Sequence, residues 1–229
     1  MTKNVIVTGG AGYIGSHACK ALYKSGYTPI TIDSLCTGWF ESVKFGPFEK
    51  INLLDSKKLN EVFLKYKPSS VMHFAAFSQV EESVREPEKY WRNNFLGSLN
   101  LIEAAISNNC FDFVFSSTCA TYGDCDGILL KETSPQNPKN AYGASKKAVE
   151  EMLYHFSLAK GLKYVIFRYF NVAGADLEKR TGLISNPDNL IKVICEVALK
   201  KKKKLIVNGN DYETKDGTTI RDFIHVLDL

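Results

Sequence analysis

No apolar run in this 229-residue sequence is long enough to span a bilayer. Nothing near its start reads as a secretory leader either, because "NVIVTGG" begins a strand almost at once. A cytoplasmic protein without membrane contact is therefore expected. Strong charge is also missing. The net charge of +4 is too mild to argue for nucleic acid and merely suits an anionic substrate. The six cysteines (19, 36, 110, 119, 125 and 195) form no CxxC pair and have no histidine nearby at ligand spacing. No metal is expected, and the thiols read as reduced and mostly packed. There is no internal repeat.

What is present is alternation. "NVIVTGG", "TPITID", "PFEKIN", "SSVMHFAA", "FDFVFSST" and "KYVIFRYFN" read as short strands, near-continuously apolar, as parallel strands covered on both faces should be. Between them, "YIGSHACKALYKSG", "SKKLNEVFLKY", "EKYWRNNFLGSLNLIEAAISNN" and "YGASKKAVEEMLYHFSLAKG" have helical periodicity. Such alternation specifies an α/β fold, a doubly wound parallel sheet. After Asn171 the pattern breaks into a loop, a helix "LIKVICEVALKKKKK", a strand "LIVNGN" and the segment "GTTIRDFIHVLDL". The expected division is 1–171 for the sheet domain and 172–229 for a smaller, partial lobe. The five lysines at 200–204 suit a solvated helix end, where positive charge complements the dipole.

"VTGGAGYIG" follows the first strand and opens the first helix, with Gly9, Gly12 and Gly15 spaced three apart. Glycines there allow a tight turn and close approach of the backbone to a pyrophosphate, whose charge the helix N-terminus would hold. The second strand ends at Asp33, 18 residues after Gly15. A carboxylate at that place accepts from adenosine ribose hydroxyls and repels a 2′-phosphate, which favours NAD over NADP.

"NAYGASKKAVEE" puts Tyr142 and Lys146 four apart, on one helix face. On spacing alone an ordinary surface pair accounts for them. An ammonium beside a phenol, however, draws the phenol pKa downward and makes a base for near-neutral pH. Thr118 stands at the carboxyl end of the fifth strand, 24 residues earlier, where open α/β sheets bind ligands. With the glycine loop in place, a hydroxyl, a phenol and an ammonium can converge where a nicotinamide would lie.

These motifs, with "SVMHFAA", "RYFNVAGA" and "DGTTIRDFIHVLDL", make the chain similar to extended short-chain dehydrogenases/reductases, and more closely to the UDP-glucose 4-epimerase family. The resemblance runs from the first strand to the last residue. It implies an isomerase of nucleotide-sugar and galactose metabolism that takes a UDP-sugar and uses bound NAD as its cofactor. Tyr142 would be the proton acceptor, Thr118 would bond the reacting hydroxyl, and Lys146 would hold the nicotinamide ribose and keep the Tyr142 pKa low.

The resemblance also implies cofactor contacts at Tyr13 and Ile14, at Ser34, Leu35, Cys36 and Thr37, at Asn52 and Leu53, at Phe74, Ala75 and Ala76, and at Asn94 and Phe170. Asn171, Asn189, Leu190 and Arg221 would meet the substrate. An Arg suits a diphosphate because its planar fork donates paired hydrogen bonds. A homodimer is a further possibility that the resemblance raises.

Three positions depart from the family pattern. Asn52 replaces an Asp that accepts from the adenine amino group, Ser78 and Gln79 stand where a Lys often reaches the phosphates, and Glu81 replaces a Gly. The chain stops at "HVLDL", where the resemblance leads one to expect further helices and strands completing the substrate lobe. Two other readings follow: another nucleotide-sugar epimerase or dehydratase, and a short NAD-binding form with impaired turnover. Dehydration is disfavoured because Cys119 and Ala120 follow Thr118, where that chemistry wants an Asp–Glu pair.

Overall fold

The computed structural model describes residues 3–124, 129–184, 189–207 and 209–229. Cys125 and Asn208 lie outside them. Among the described residues, six parallel strands form one sheet in the order β3-β2-β1-β4-β5-β6. They are β1 (Asn4–Thr8), β2 (Thr28–Asp33), β3 (Phe48–Lys50), β4 (Ser70–His73), β5 (Asp112–Ser116) and β6 (Lys163–Phe167). The strand order reverses between β1 and β4, which opens a crevice at their carboxyl ends. The α/β sheet expected from the alternation is thus present.

Both faces of the central strands are covered, as their apolar runs require. Ile6, Ile30 and Ile32 join a layer with α2 (Ser56–Tyr66), α5 (Gly97–Ser107) and α6 (Ala141–Lys160), packing on Leu59, Phe63, Leu101, Ile102 and Leu153. Val5 and Val7 face the other way, toward Cys19 of α1 (Tyr13–Lys24) and Phe45. Each fully buried Ile or Leu contributes about 1.5–3 kcal/mol relative to exposure. Helix starts are set by side chains. Asp55 accepts from Lys58 N at 3.1 Å, and Asn140 accepts from Gly143 N at 2.8 Å.

Several expected elements differ. The long helix expected over 88–109 is divided into α4 (Pro87–Tyr90), a π-helical stretch (Trp91–Leu96) and α5, preceded by α3 (Val80–Arg85). Strand β6 alternates between exposed and half-buried residues, with Val165 and Phe167 uncovered, so it lacks the two-sided cover its sequence suggests. Helix α7 (Leu190–Ala198) stops before the lysine run, which lies in bends beyond the helix end. Residues 205–207, expected as a strand, form none. Among the described residues they pair with no other strand, and tertiary pairing decides strand formation. Cys19 and Cys110 are buried, whereas Cys36 and Cys195 are exposed, so the thiols are less uniformly packed than expected.

Strands β7 (Asn171–Ala173) and β8 (Phe223–His225) make a separate two-stranded parallel sheet. The loop after β7 is fastened back onto α1. Tyr13 donates to the Gly174 carbonyl at 2.6 Å, Lys24 meets Glu178 at 2.8 Å, and Lys20 pairs with the buried Asp176, 156 residues away. No helix among the described residues is long and apolar enough to cross a membrane.

Candidate active site

Because the sheet is parallel, the segments leaving β1, β2, β4, β5 and β6 all emerge at one edge. Those segments carry Gly9 to Gly15, Asp33 to Thr37, Phe74 to Ala76, Thr118 and Phe170. The glycine loop is packed too tightly for any other residue at two places. Gly9 has φ +70° and a Cβ there would lie 2.7 Å from Ala75 N; a Cβ on Gly15 would collide with the Gly9 carbonyl. The loop thus sits directly on the end of β4. By helix geometry, the first N–H groups of α1, from Tyr13, Ile14 and Gly15, have no intrahelical acceptor and point out of its N-terminus.

Asp33 is buried, and its carboxylate takes two backbone donors, Ala11 N at 3.1 Å and Leu35 N at 2.8 Å. It therefore braces the glycine loop against the end of β2. Burial raises its pKa, and the two N–H bonds oppose that rise. Each oxygen keeps a lone pair for a further donor. Leu35 holds φ 60°, left-handed for a non-glycine residue, in the turn that Asp33 caps. Ser34 Oγ lies 3.2 Å from Cys36 Sγ in the same turn, and Cys36 and Thr37 follow it out to solvent.

The catalytic candidates come together. The Thr118 side chain, whose Oγ1 accepts from Ala120 N at 3.2 Å, lies close enough to the Tyr142 phenol to draw its pKa down. Lys146 is buried, donates to the Ser116 carbonyl at 2.8 Å and lies 4.8 Å over the Phe115 ring. Tyr169 bonds Ser116 Oγ, and Tyr90 meets the Tyr142 ring edge-on at 6.4 Å between centroids. One expectation fails here. Burial raises the Tyr142 pKa, opposed by the Thr118 side chain, instead of Lys146 drawing it down. One of the three ammonium donors goes to that carbonyl, and burial lowers the Lys146 pKa to about 7, against the pull of Glu150. Spacing placed both groups on one face; it could not reveal how deeply the lysine is sunk.

Other sequence candidates are occupied by the protein itself. Asn94, on the π-helical stretch, accepts from Phe77 N at 2.9 Å and donates to the Phe77 carbonyl at 3.0 Å. It holds the loop after β4, and π-helical turns recur at such functional positions. Leu53 is buried in the core and its carbonyl takes Asn100 at 2.9 Å, while Asn52 accepts from Leu54 N at 2.9 Å. Tyr13 spends its hydroxyl on Gly174, so only its backbone remains for a phosphate. Phe170 is partly exposed between the two sheets, and Asn171 donates to the Asp222 carbonyl at 2.9 Å, next to the exposed Arg221. Asn189 caps α7 by accepting from Lys192 N at 3.1 Å, and Leu190 is exposed beside it. Sequence reasoning missed the Ser116 carbonyl, Tyr90, Tyr169 and Glu150; only Glu150, one turn beyond Lys146, left a signal that could have been read.

The donor set fits a dinucleotide: open helix N–H groups behind a glycine cradle, an acceptor at the end of β2, and a buried ammonium at the far end. The profile of the NAD dependent epimerase/dehydratase family matches residues 5–229. The chain is 46% identical over 228 residues to a UDP-glucose 4-epimerase of Rhizobium meliloti, covering 99% of this chain and 70% of that protein. Its structure superposes on the UDP-glucose 4-epimerase of Brucella ovis in complex with NAD with a TM-score of 0.94 at 44% identity, covering 99% and 70% of the two chains. The UDP-glucose 4-epimerase of Bifidobacterium longum in complex with NAD+ and UDP gives a TM-score of 0.92 at 32% identity, covering 99% and 71%.

Proposed function

This chain belongs to the NAD-dependent epimerase/dehydratase family, and from that membership we propose that it interconverts UDP-glucose and UDP-galactose at C4. NAD supplies a reversible hydride acceptor when bound, so oxidation and reduction cancel and no cofactor is consumed. The observation that carries the reading is the Thr118–Tyr142–Lys146 set at the sheet edge that also bears the glycine loop.

Each residue then has a task. Tyr142 takes the proton from the sugar 4-hydroxyl and returns it after the sugar has presented its other face. Thr118, beside the phenol, holds the reacting oxygen next to it. Lys146 bonds a ribose hydroxyl, and its charge with that of an oxidised nicotinamide favours tyrosinate. A bound cofactor would thus oppose the rise that burial gives the Tyr142 pKa. Asn171 opens β7, and Arg221 stands two residues before β8, the strand beside it; the two would meet the diphosphate. Residues 172–229 would form part of the substrate lobe.

A homodimer is a further part of this proposal. Exposed Val84, Trp91 and Leu96 on and after α3, with Tyr154 and Leu158 on α6, offer the apolar area it needs. UDP-galactose given to the purified chain should yield UDP-glucose with no added NAD; a cofactor-loaded protein that leaves UDP-galactose untouched would sink the reading.

Asp33 decides the cofactor's form. Titration should show NAD bound well ahead of NADP, and Asp33→Ala should erase most of that preference, because the 2′-phosphate no longer meets a carboxylate. The same variant also frees Ala11 N and Leu35 N, so NAD affinity should fall about tenfold. Equal binding of both cofactors to the parent would remove the ribose role from Asp33.

A further inference from the structure

Residues 142, 146 and 150 stand one helical turn apart on a single face of α6. The third of them is Glu150, only 5% exposed. Its carboxylate joins four segments. It accepts from Ser117 Oγ at the end of β5, and from Gln136 Nε2 at 2.8 Å on the loop before α6. Beyond β6, Arg168 grips both oxygens, through Nε at 3.0 Å and 3.0 Å and through Nη2 at 2.6 Å. Arg168 Nη1 goes on to the Tyr122 hydroxyl at 2.9 Å and the Glu132 carbonyl at 3.0 Å.

Ser117 is the residue that matters for the site. It separates Ser116, whose carbonyl receives Lys146, from Thr118, whose side chain lies beside Tyr142. A fastener at this depth need not be charged, since apolar side chains of similar volume often hold as well. Placed here, a carboxylate does two things that an apolar side chain cannot. It fixes the strand end that carries both catalytic contacts, and, one turn along α6 from Lys146, it pairs with the half-buried Arg168 cation.

We propose that Glu150 is a positioning residue of the epimerase reaction, setting the Ser116–Thr118 strand end and holding a negative charge one helical turn from Lys146. The inference rests on the epimerase reading above. The groups that bear on Lys146 are Glu150 and Tyr142 of its own helix, the Phe115 ring and Ser116 carbonyl of β5, and His73 of β4. Burial holds His73 neutral, so the carboxylate of Glu150, itself paired with Arg168, is the charge that bears on Lys146. Around the carboxylate itself lie Arg168, Ser117, Gln136 and Tyr122, with Lys147 bonded to the Gln136 carbonyl at 3.2 Å.

The test compares Glu150→Gln, Arg168→Gln and the double variant with the parent, all loaded with NAD. Two readouts are taken: kcat and KM for UDP-galactose across pH, and the titration of the labelled Lys146 ammonium, assigned by its loss in Lys146→Met. Glu150→Gln should lower kcat about 10- to 100-fold with KM and bound NAD near the parent's. The Lys146 midpoint should fall by about one pH unit, because the carboxylate one turn away no longer favours its charged form. Arg168→Gln, which leaves the carboxylate in place, should not lower the midpoint, and the double variant should match Glu150→Gln in both midpoint and kcat.

An unmoved midpoint in Glu150→Gln, or activity lost only in proportion to folded protein, would overturn the proposal. Should Glu150→Gln fail to fold, Ser117→Ala, which removes one bond and no charge, must still lower kcat at constant bound NAD; an unchanged kcat overturns it. The lysine titration needs no turnover, so an inactive parent counts against the epimerase reading and leaves this one to be decided by the midpoint.

Discussion

Tyr142→Phe should reduce kcat for UDP-galactose about 10²- to 10⁴-fold, the range of general-base contributions, while NAD stays bound and KM changes little. The ring keeps its edge-on contact with Tyr90 at 6.4 Å, so packing survives. What disappears is the oxygen that accepts the proton beside the Thr118 side chain. The phenol also has a specific pH behaviour. In the cofactor-free protein burial keeps its pKa above the ordinary tyrosine value, so it is no base at neutral pH. Loading NAD adds positive charge, and the Tyr142 ring resonance should then titrate at lower pH than in stripped protein. Near-parental turnover in Tyr142→Phe, or a titration unaffected by NAD, would remove the phenol from its role.

Lys146→Met separates function from stability. Turnover should fall by two orders of magnitude or more, on the scale of losing a group that both binds and tunes a base. Bound NAD should fall with it, because the ribose loses its ammonium. Stability should move the other way in stripped protein. Burial holds the folded pKa of Lys146 at about 7, below its unfolded value of 10.5. Between those values the unfolded chain binds the extra proton, so the parent gains stability as pH rises from about 7 toward 10.5. Below that window the full cost of burying the charge is present, and Met avoids it. Urea denaturation of stripped parent and variant should therefore show the largest advantage of Met at acidic to neutral pH, shrinking by pH values near 10. A difference independent of pH would mean that Lys146 is not carrying its charge into the interior.

The sheet and the cofactor loop were legible because they rest on local signals. Apolar strand runs, glycines three apart and an acid at the end of the second strand each need only their own segment, and Gly9, Gly15 and Asp33 stand where those signals put them. Contacts across the chain were not legible. Nothing near Tyr13 announces that its hydroxyl will be spent on Gly174, 161 residues later. Nothing near Asn94 announces that it will clamp the Phe77 backbone. The strand expected at 205–207 failed for the same reason, since β structure depends on a partner that the segment does not contain. The Tyr142–Lys146 geometry was half readable. Helical spacing gave the shared face, while depth, and with it the direction of both pKa values, is set by burial against distant segments such as the Ser116 carbonyl and the Phe115 ring.

The Lys20–Asp176 pair carries a consequence for the order in which this protein takes shape. On the ribosome the first βαβ unit emerges early, with the glycine loop and α1 already able to form. Asp176 follows Lys20 by 156 residues, an interval of roughly 8–30 s at ordinary rates of synthesis. Throughout that interval Lys20 has no carboxylate from the later chain, and the Tyr13 hydroxyl has no Gly174 carbonyl. The nascent cradle therefore exists for a time without its fastener.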